Sequence, residues 1–167
     1  MEEEIKFENL SRLIDAFLDK FVEEYKNELI RTGKKASGNL INSIKKLEVE
    51  VDGYKIVGRI SLADYWRWVE YGRGPGKFPP LNKILNWIEV KPVLPRPVNG
   101  ITPSNRQLAY LIGRKISREG IDPGNQMNTA LNNVYNSFNE QIKEAINKDI
   151  DSRLTLILRD AGFISKK

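Results

Sequence analysis

Residues 65–80 read Tyr-Trp-Arg-Trp-Val-Glu-Tyr-Gly-Arg-Gly-Pro-Gly-Lys-Phe-Pro-Pro. This stretch holds two of the three tryptophans and two of the six tyrosines of the chain, followed by three glycines at alternate positions. Bulky aromatic rings need a surface to cover, whereas glycines allow backbone conformations that a side chain would forbid. The stretch therefore predicts an ordered aromatic segment that runs into a loop of fixed shape.

The spacing of these glycines excludes the familiar phosphate-binding loops. A P-loop has four residues between its glycines and a Ser or Thr after its lysine, whereas Phe78 follows Lys77 here. The dinucleotide fingerprint requires its third glycine where Lys77 stands. We therefore interpret the glycines as a sharp turn of the backbone.

Four stretches of the chain have the three- and four-residue apolar spacing of amphipathic helices. The second starts after Pro79-Pro80, and the third starts at Thr102-Pro103 and ends at Gly120. Leu154 to Leu158 either continues the last helix or forms an edge strand. The predicted helices cover Ile5 to about Arg31, and about 81–89, 103–118 and 125–150.

Between the first two helices the apolar residues alternate with polar ones, as in strands. Leu47, Val49 and Val51 keep this period of two, and Asp52-Gly53 is a favoured type I′ hairpin turn. The pattern predicts an antiparallel hairpin at about 44–62 with one buried face. The predicted fold is α+β, a single domain over residues 1–167 in which the long N-terminal helix packs on this small sheet.

Composition restricts the chemistry available to the chain. There is no cysteine and no histidine, which removes the usual zinc ligands and the Ser-His and Cys-His nucleophile pairs. An enzyme would have to work with carboxylates, Lys or Tyr alone, and a carboxylate-dependent enzyme is the weaker alternative. We expect a protein that is not an enzyme and that has no cofactor and no metal site. No apolar run approaches the ~20 residues of a membrane span, and the acidic start Met-Glu-Glu-Glu is unlike a secretory signal. We expect synthesis in the cytoplasm.

The net charge of +5 is unevenly distributed. Met1 to Glu28 carries nine acids and four bases, whereas Tyr71 to Gly120 carries nine bases and two acids. Either these are two solvated faces, or an acidic surface of one copy meets a basic surface of another, or the basic half faces DNA.

Aromatic and charged side chains of the central stretch are the candidate functional residues. Aromatic and Arg residues are enriched in protein interfaces, and stacking of nucleotide bases is the alternative use of such a set. Glu70 is the one acid among several bases, and we interpret it as half of a structural ion pair that holds the loop. The predicted interface residues are Tyr65, Trp66, Trp68, Glu70, Tyr71, Arg73, Lys77 and Phe78.

Two short motifs resemble a known family, the small tail-component proteins of long-tailed bacteriophages, which act in head-to-tail joining or tail completion. Members begin with a long helix, a Gly-x-Leu…Ser-Ile stretch, a hairpin and a Tyr-x-x-x-Val-Glu-x-Gly segment that enters a Gly/Pro loop. The residues that match are Gly38, Leu40, Ser43 and Ile44 for the first motif, and Tyr65, Val69, Glu70 and Gly72 for the second. A Pro-Phe-Leu-like segment common in the family is absent before the last helix, and residues 81–120 resemble a helical insertion.

The resemblance implies a structural virion protein of the neck or tail, a head-to-tail connector or a tail completion or terminator protein. It implies a homo-oligomeric ring of six or twelve copies that contacts other neck, tail or portal-proximal proteins, with non-specific contact to phage DNA and no membrane. The alternative from the residues is a basic nucleic-acid-binding protein, whose affinity would fall steeply with salt.

Overall fold

The computed structural model describes residues 7–52, 55–91, 93, 95–97, 100 and 102–164. Over these residues the fold is α+β, as predicted, with a long N-terminal helix, a small antiparallel ribbon and further helices. The elements in order are α1 (Glu8–Arg31), α2 (Asn39–Ser43), β1 (Lys45–Lys46), β2 (Glu50–Asp52), β3 (Lys55–Val57), β4 (Ile60–Ser61), α3 (Trp66–Glu70), α4 (Leu81–Val90), α5 (Asn105–Glu119) and α6 (Gln126–Asp160).

These elements group into two compact units. The chain passes from one to the other within α1, between α2 and β1, after β4 and near the start of α6. The predicted single domain and the predicted insertion, which contains α4 and α5, stay predictions. The first unit takes the described residues of Met1–Asn27, Ile44–Ser61 and Asn128–Lys167, and the second takes those of Glu28–Ser43 and Leu62–Met127.

In the first unit α1 and α6 lie side by side in opposite directions. The rings of Phe17 and Phe138 meet edge to face with centroids 5.5 Å apart. Further along, the side-chain amide of Asn133 donates to Oε1 of Glu24 at 3.0 Å. Rising residue numbers in α1 thus meet falling numbers in α6, which fixes the register of the pair.

Asp149 on α6 caps the N-terminus of α1. Its Oδ1 accepts from the backbone N–H and the side-chain amide of Asn9, at 3.1 and 2.7 Å, and its Oδ2 accepts from the N–H of Leu10 at 2.9 Å. The first N–H groups of a helix have no partner within it, and the helix dipole favours a negative charge at this end. Asp149 is only 4% exposed, and hydrogen bonds to both of its carboxylate oxygens compensate the cost of burying its charge.

The four strands form an antiparallel ribbon, as predicted, with β1 paired to β4 and β2 paired to β3. Asp52 lies opposite Lys55, so the two residues between them are Gly53 and Tyr54. Gly53 and Tyr54 lie outside the described residues, so the predicted Asp52-Gly53 turn stays a prediction.

The ribbon contacts α1, but it does not bury the face that the alternating pattern predicts. Gly58 lies so close to α1 that an added Cβ would be 2.6 Å from Cδ1 of Leu18. Lys46 donates to carboxylates of α1, at 2.8 Å in each case. Leu47 and Val51 are 45% and 48% exposed, so the predicted buried face is wrong at these positions. The close contacts with α1 come from other residues of the ribbon.

The second unit has its core between α4 and α5. Ile84 and Ile88 of α4 and Ala109 of α5 are buried together, with four partly buried apolar residues against them. Pro80 precedes the first residue of α4, as predicted. The core positions follow the helical spacing that the sequence shows.

Three helix boundaries or assignments differ from the predictions. Helix α5 starts after Ser104 and not at Thr102-Pro103, because Ser104 and Gln107 satisfy each other's backbone N–H groups in a capping box. The short helix α2 was not predicted, since five residues give too little pattern to recognise. Helix α6 continues through Leu154 to Leu158 and ends at Asp160, so the edge-strand alternative is wrong.

Replacement of Asp149 by Ala should destabilise the protein by about 1–2 kcal/mol, because it leaves N–H groups at the start of α1 without an acceptor. Denaturant unfolding followed by circular dichroism measures this. The matched control is Asp151→Ala, an exposed carboxylate on the same helix, which should change stability by less than about 0.5 kcal/mol. Equal stability of Asp149→Ala and the wild type would contradict the capping role.

The ion pair of Glu28 and Arg31 should make stability depend on acid pH. Arg31 holds both oxygens of this buried carboxylate, at 3.0 and 2.6 Å, and its hydrogen bonds keep the pKa of Glu28 below the usual 4.5. The pair therefore stabilises the fold above pH 4.5, and that contribution is lost as the pH falls through the lowered pKa.

When the pH is lowered from neutral to about 3, the melting temperature of Glu28→Gln should decrease less than that of the wild type. Glu119→Gln, which changes an exposed carboxylate, is the control and should follow the wild type. If Glu28→Gln and the wild type lost the same melting temperature, the pair would not be a source of the pH dependence.

Candidate functional site

The central aromatic and glycine-rich stretch lies wholly in the second unit. It begins with one turn of helix, α3, continues as an extended loop, and ends where Pro80 precedes α4. The predicted ordered segment and shaped loop therefore correspond to a single helical turn followed by a loop that hydrogen bonds to the end of α5 and to the residues after it.

Glu70 is the last residue of α3 and is buried, with 3% of its surface exposed. Its Oε2 accepts from the backbone N–H of Met127 at 2.9 Å, and its backbone carbonyl accepts from the N–H groups of Gly124 and Asn125. Met127 is the second residue of α6, so the carboxylate lies at the positive end of the longest helix. Glu70 thus joins the aromatic turn to the start of α6.

Backbone hydrogen bonds hold the loop after α3 against the end of α5 and the segment that follows it. Arg73 and Ile121 exchange two backbone hydrogen bonds of 2.8 and 2.7 Å, and the N–H of Gly76 donates to the carbonyl of Ser117 at 2.8 Å. Gly72 has a φ of 66° and approaches so closely that an added Cβ would lie 2.1 Å from the carbonyl oxygen of Ile121. Only glycine fits there, which explains the first glycine of the series.

The end of the loop is held against α5 by an aromatic ring. A Cβ added to Gly113 would lie 2.4 Å from Cζ of Phe78, so this ring lies directly on the helix backbone. The rings of Phe78 and Tyr110 are 5.7 Å apart. The guanidinium of Arg73 donates to the backbone carbonyl of Lys77. Arg73 and Phe78 therefore help to fix the loop, while the side chain of Lys77 is exposed.

The aromatic side chains of the turn are exposed, unlike Glu70. Trp68 and Tyr71 are each 65% exposed, and Tyr65 is 44% exposed. Trp66 is half-buried, lies 5.8 Å from the ring of Tyr71, and has the guanidinium of Arg67 5.9 Å from its own ring. The structure thus presents large apolar rings to solvent from a backbone that hydrogen bonds hold in place.

We call the exposed rings of this stretch the aromatic set, which consists of Tyr65, Trp68, Tyr71 and Phe78, the last of them 43% exposed. Aromatic side chains of this kind dominate binding energy in protein interfaces when a partner covers them. They lie on the helical turn α3 or next to it and on the loop that follows, and the hydrogen bonds that hold this backbone reduce the entropy lost on binding. The arrangement is suited to contact with another macromolecule.

Other exposed residues near this stretch were missed by the sequence reasoning. Trp87 and Val90 on α4 are 40% and 50% exposed, although they follow buried helical positions. Trp87 is three residues after Ile84, which is helical spacing, so the sequence pattern carries no signal that could have revealed its exposure.

Comparison with models of protein families, with curated proteins and with solved structures finds no match to this chain. In the part of the chain that the structure describes, no group of three or more acidic side chains could hold a metal ion. Among the described helices, none is both long and apolar enough to cross a membrane.

Replacement of Gly72 by Ala should destabilise the protein by at least about 1–2 kcal/mol, since it combines a left-handed backbone with a clash against Ile121. Gly74 is the matched control, because an added Cβ there meets nothing within 4 Å and its φ is not positive. Gly74→Ala should be neutral or stabilising by about 0.4–1 kcal/mol. Denaturant unfolding distinguishes the two, and equal effects would show that the loop is not clasped.

Proposed function

We infer that this chain is a structural component of a bacteriophage virion, in the neck or tail, that assembles into a ring through protein–protein contacts and is not an enzyme. The observation that carries this proposal is the contrast within one helical turn. Trp68 and Tyr71 are 65% exposed, whereas Glu70 beside them is 3% exposed and bound to the start of α6. Such rigid and exposed aromatic rings favour an interface with a protein partner.

Further apolar residues are exposed on the ribbon and on α6. Leu47 and Val51 on the ribbon are about half exposed, as are Ile150, Leu154 and Ile157 at successive turns of α6. Single apolar side chains scattered over the surface are normal on a monomer. Large ones that recur at helical or strand spacing form a continuous apolar surface, which favours association. These surfaces support assembly and add to the motif resemblance that suggests a phage neck or tail protein.

The partners that we propose are other copies of this chain, in a ring of six or twelve, and the neighbouring neck, tail or portal-proximal proteins. A closed ring repeats one heterologous interface, in which one surface of a copy meets a different surface of the next. The predicted interface residues Trp66, Arg73 and Lys77 then contribute near the aromatic set, and Glu70 supports the set from beneath. Non-specific contact with phage DNA accompanies the basic charge of residues 71–120.

Replacement of Trp68 and Tyr71 by Ala should abolish ring formation and leave the fold unchanged, because hot-spot rings each contribute about 2 kcal/mol or more to an interface. Sedimentation velocity gives the mass of the assembly, and thermal unfolding checks the fold. Tyr135→Ala is the control, since Tyr135 on α6 is also exposed, at 51%, but lies outside the aromatic set. Rings of unchanged mass from the double variant would refute this interface.

A further inference from the structure

A groove of about 590 Å³ opens on the surface of the second unit beside the aromatic set. One wall is formed by residues 34–41, which are the connector after α1 and the start of α2, and the other walls are the turn α3 and the helix α4. This volume is in the range of sites that bind a compact ligand or a few side chains of a peptide. The residues that give the groove its chemistry are Lys34, Lys35, Lys83, Tyr65, Trp87 and Val90.

The groove combines positive charge with apolar surface. Its three lysines are exposed, and none of the described residues that line it is acidic. A fourth cation is close by, because Nζ of Lys91 lies 6.0 Å from the ring centre of Trp87 and donates to the carbonyl of Gly33. Trp87 and Tyr65 are about 40% exposed and supply aromatic surface. A matching ligand carries carboxylates next to an apolar side chain.

Nucleic acid fits this chemistry less well than an acidic peptide. Proteins that bind a nucleic-acid backbone without sequence preference neutralise many phosphates along an extended track. The groove offers three lysines within a compact volume, and its side chains include no arginine. A short run of carboxylates followed by an apolar residue needs no more than this.

The chain itself contains such a segment. Residues 2–4 are Glu-Glu-Glu and residue 5 is Ile, at the start of a region with nine acids and four bases. The acids of α1 have partners within the chain, since Asp15 and Asp19 bind Lys46 and Glu28 binds Arg31. The carboxylates of residues 2–4, which lie outside the described residues, supply the charge opposite to that of the groove.

We propose that the groove binds the acidic segment Met1–Ile5 of a neighbouring copy in the assembly. The proposal rests on the proposed ring, in which one surface of each copy must meet a different surface of the next. A groove and an acidic segment form such a heterologous pair. Tyr65 and Val69 of α3 line the groove, so this contact continues directly from the aromatic set.

A charge-swap experiment tests this inference on the full chain. The groove variant carries Lys34→Glu, Lys35→Glu and Lys83→Glu, and the segment variant carries Glu2→Lys, Glu3→Lys and Glu4→Lys. Each variant alone places like charges opposite each other and should assemble at least about tenfold more weakly than the wild type. An equimolar mixture of the two restores opposite charges at every contact of an alternating ring, so it should regain the wild-type mass in sedimentation velocity.

The matched control is Arg106→Glu, Arg114→Glu and Lys115→Glu, which changes the net charge equally at exposed positions of α5 outside the groove. It should assemble like the wild type. Circular dichroism and thermal unfolding confirm that all variants are folded. Assembly of the wild type should also weaken as salt is raised, because the charges are near the surface.

The outcomes separate this inference from the proposed function. If the wild type forms rings and the groove variant forms them equally well, the groove inference is overturned and the ring stands. If the wild type is monomeric at all concentrations, both are overturned. If the mixture fails to assemble, the inference is wrong. It is also wrong if a single-stranded oligonucleotide binds the wild type but not the groove variant while the two form rings of the same mass, because the groove then has another occupant.

Discussion

Buried carboxylates at the first turns of the two long helices are the interaction on which the rest of the structure depends. In the first unit Asp149 binds the start of α1, and in the second unit Glu70 binds the start of α6. A buried carboxylate costs several kcal/mol unless hydrogen bonds and opposite charge compensate it. Helix N-termini provide both, so each carboxylate is stable only when its helix begins at the residue observed. These contacts join residues far apart in the chain and thereby select one arrangement of the helices within each unit.

The position of Glu70 also explains why the aromatic rings next to it are exposed. One residue of a helix advances about 100° around the axis, so Trp68 lies about 200° from Glu70 and on nearly the opposite side of α3. Because Glu70 must face the start of α6, Trp68 must face solvent. The clasp between Arg73 and Ile121 then fixes where the chain goes after the turn. Exposure of Trp68 is thus a consequence of the buried contact and not an independent property of the sequence.

The sequence predicted the helices and strands that are specified by residues close together in the chain. Helical spacing located α1, α4, α5 and α6, and alternation located the ribbon, because each pattern reports a local periodicity. Burial of the ribbon was mispredicted since alternation shows that a strand has two faces but does not show whether anything covers either of them. Leu47 and Val51 have the right pattern for a buried face and are nevertheless exposed.

The aromatic and glycine content of residues 65–80 singled out this stretch, and its role as an interface stays a prediction. The contact that holds it was not predicted, because the bond between Glu70 and Met127 spans 57 positions and leaves no local signal. The interpretation of Glu70 as half of a structural ion pair came from its charged neighbours and stays a prediction, whereas one partner that the structure shows is the backbone N–H of Met127, 2.9 Å from Oε2, at a helix terminus. Charge counts of side chains cannot reveal such a partner, because its charge belongs to the backbone. The groove was missed for a related reason, since three separate segments supply its walls.

Rigidity of this stretch has a direct consequence for assembly into a closed ring. A ring of six copies requires a rotation of about 60° from each copy to the next, and a ring of twelve requires about 30°. The same contact repeated with a variable angle produces open chains or rings of mixed size. An interface on a flexible loop would allow such variation. The aromatic side chains of this stretch keep a constant direction, because their backbone is held by Glu70, by the close approach at Gly72 and by the pairing of Arg73 with Ile121. The glycine and the buried acid, which contribute little contact area themselves, are therefore the residues that would set the number of copies in the assembly that we propose.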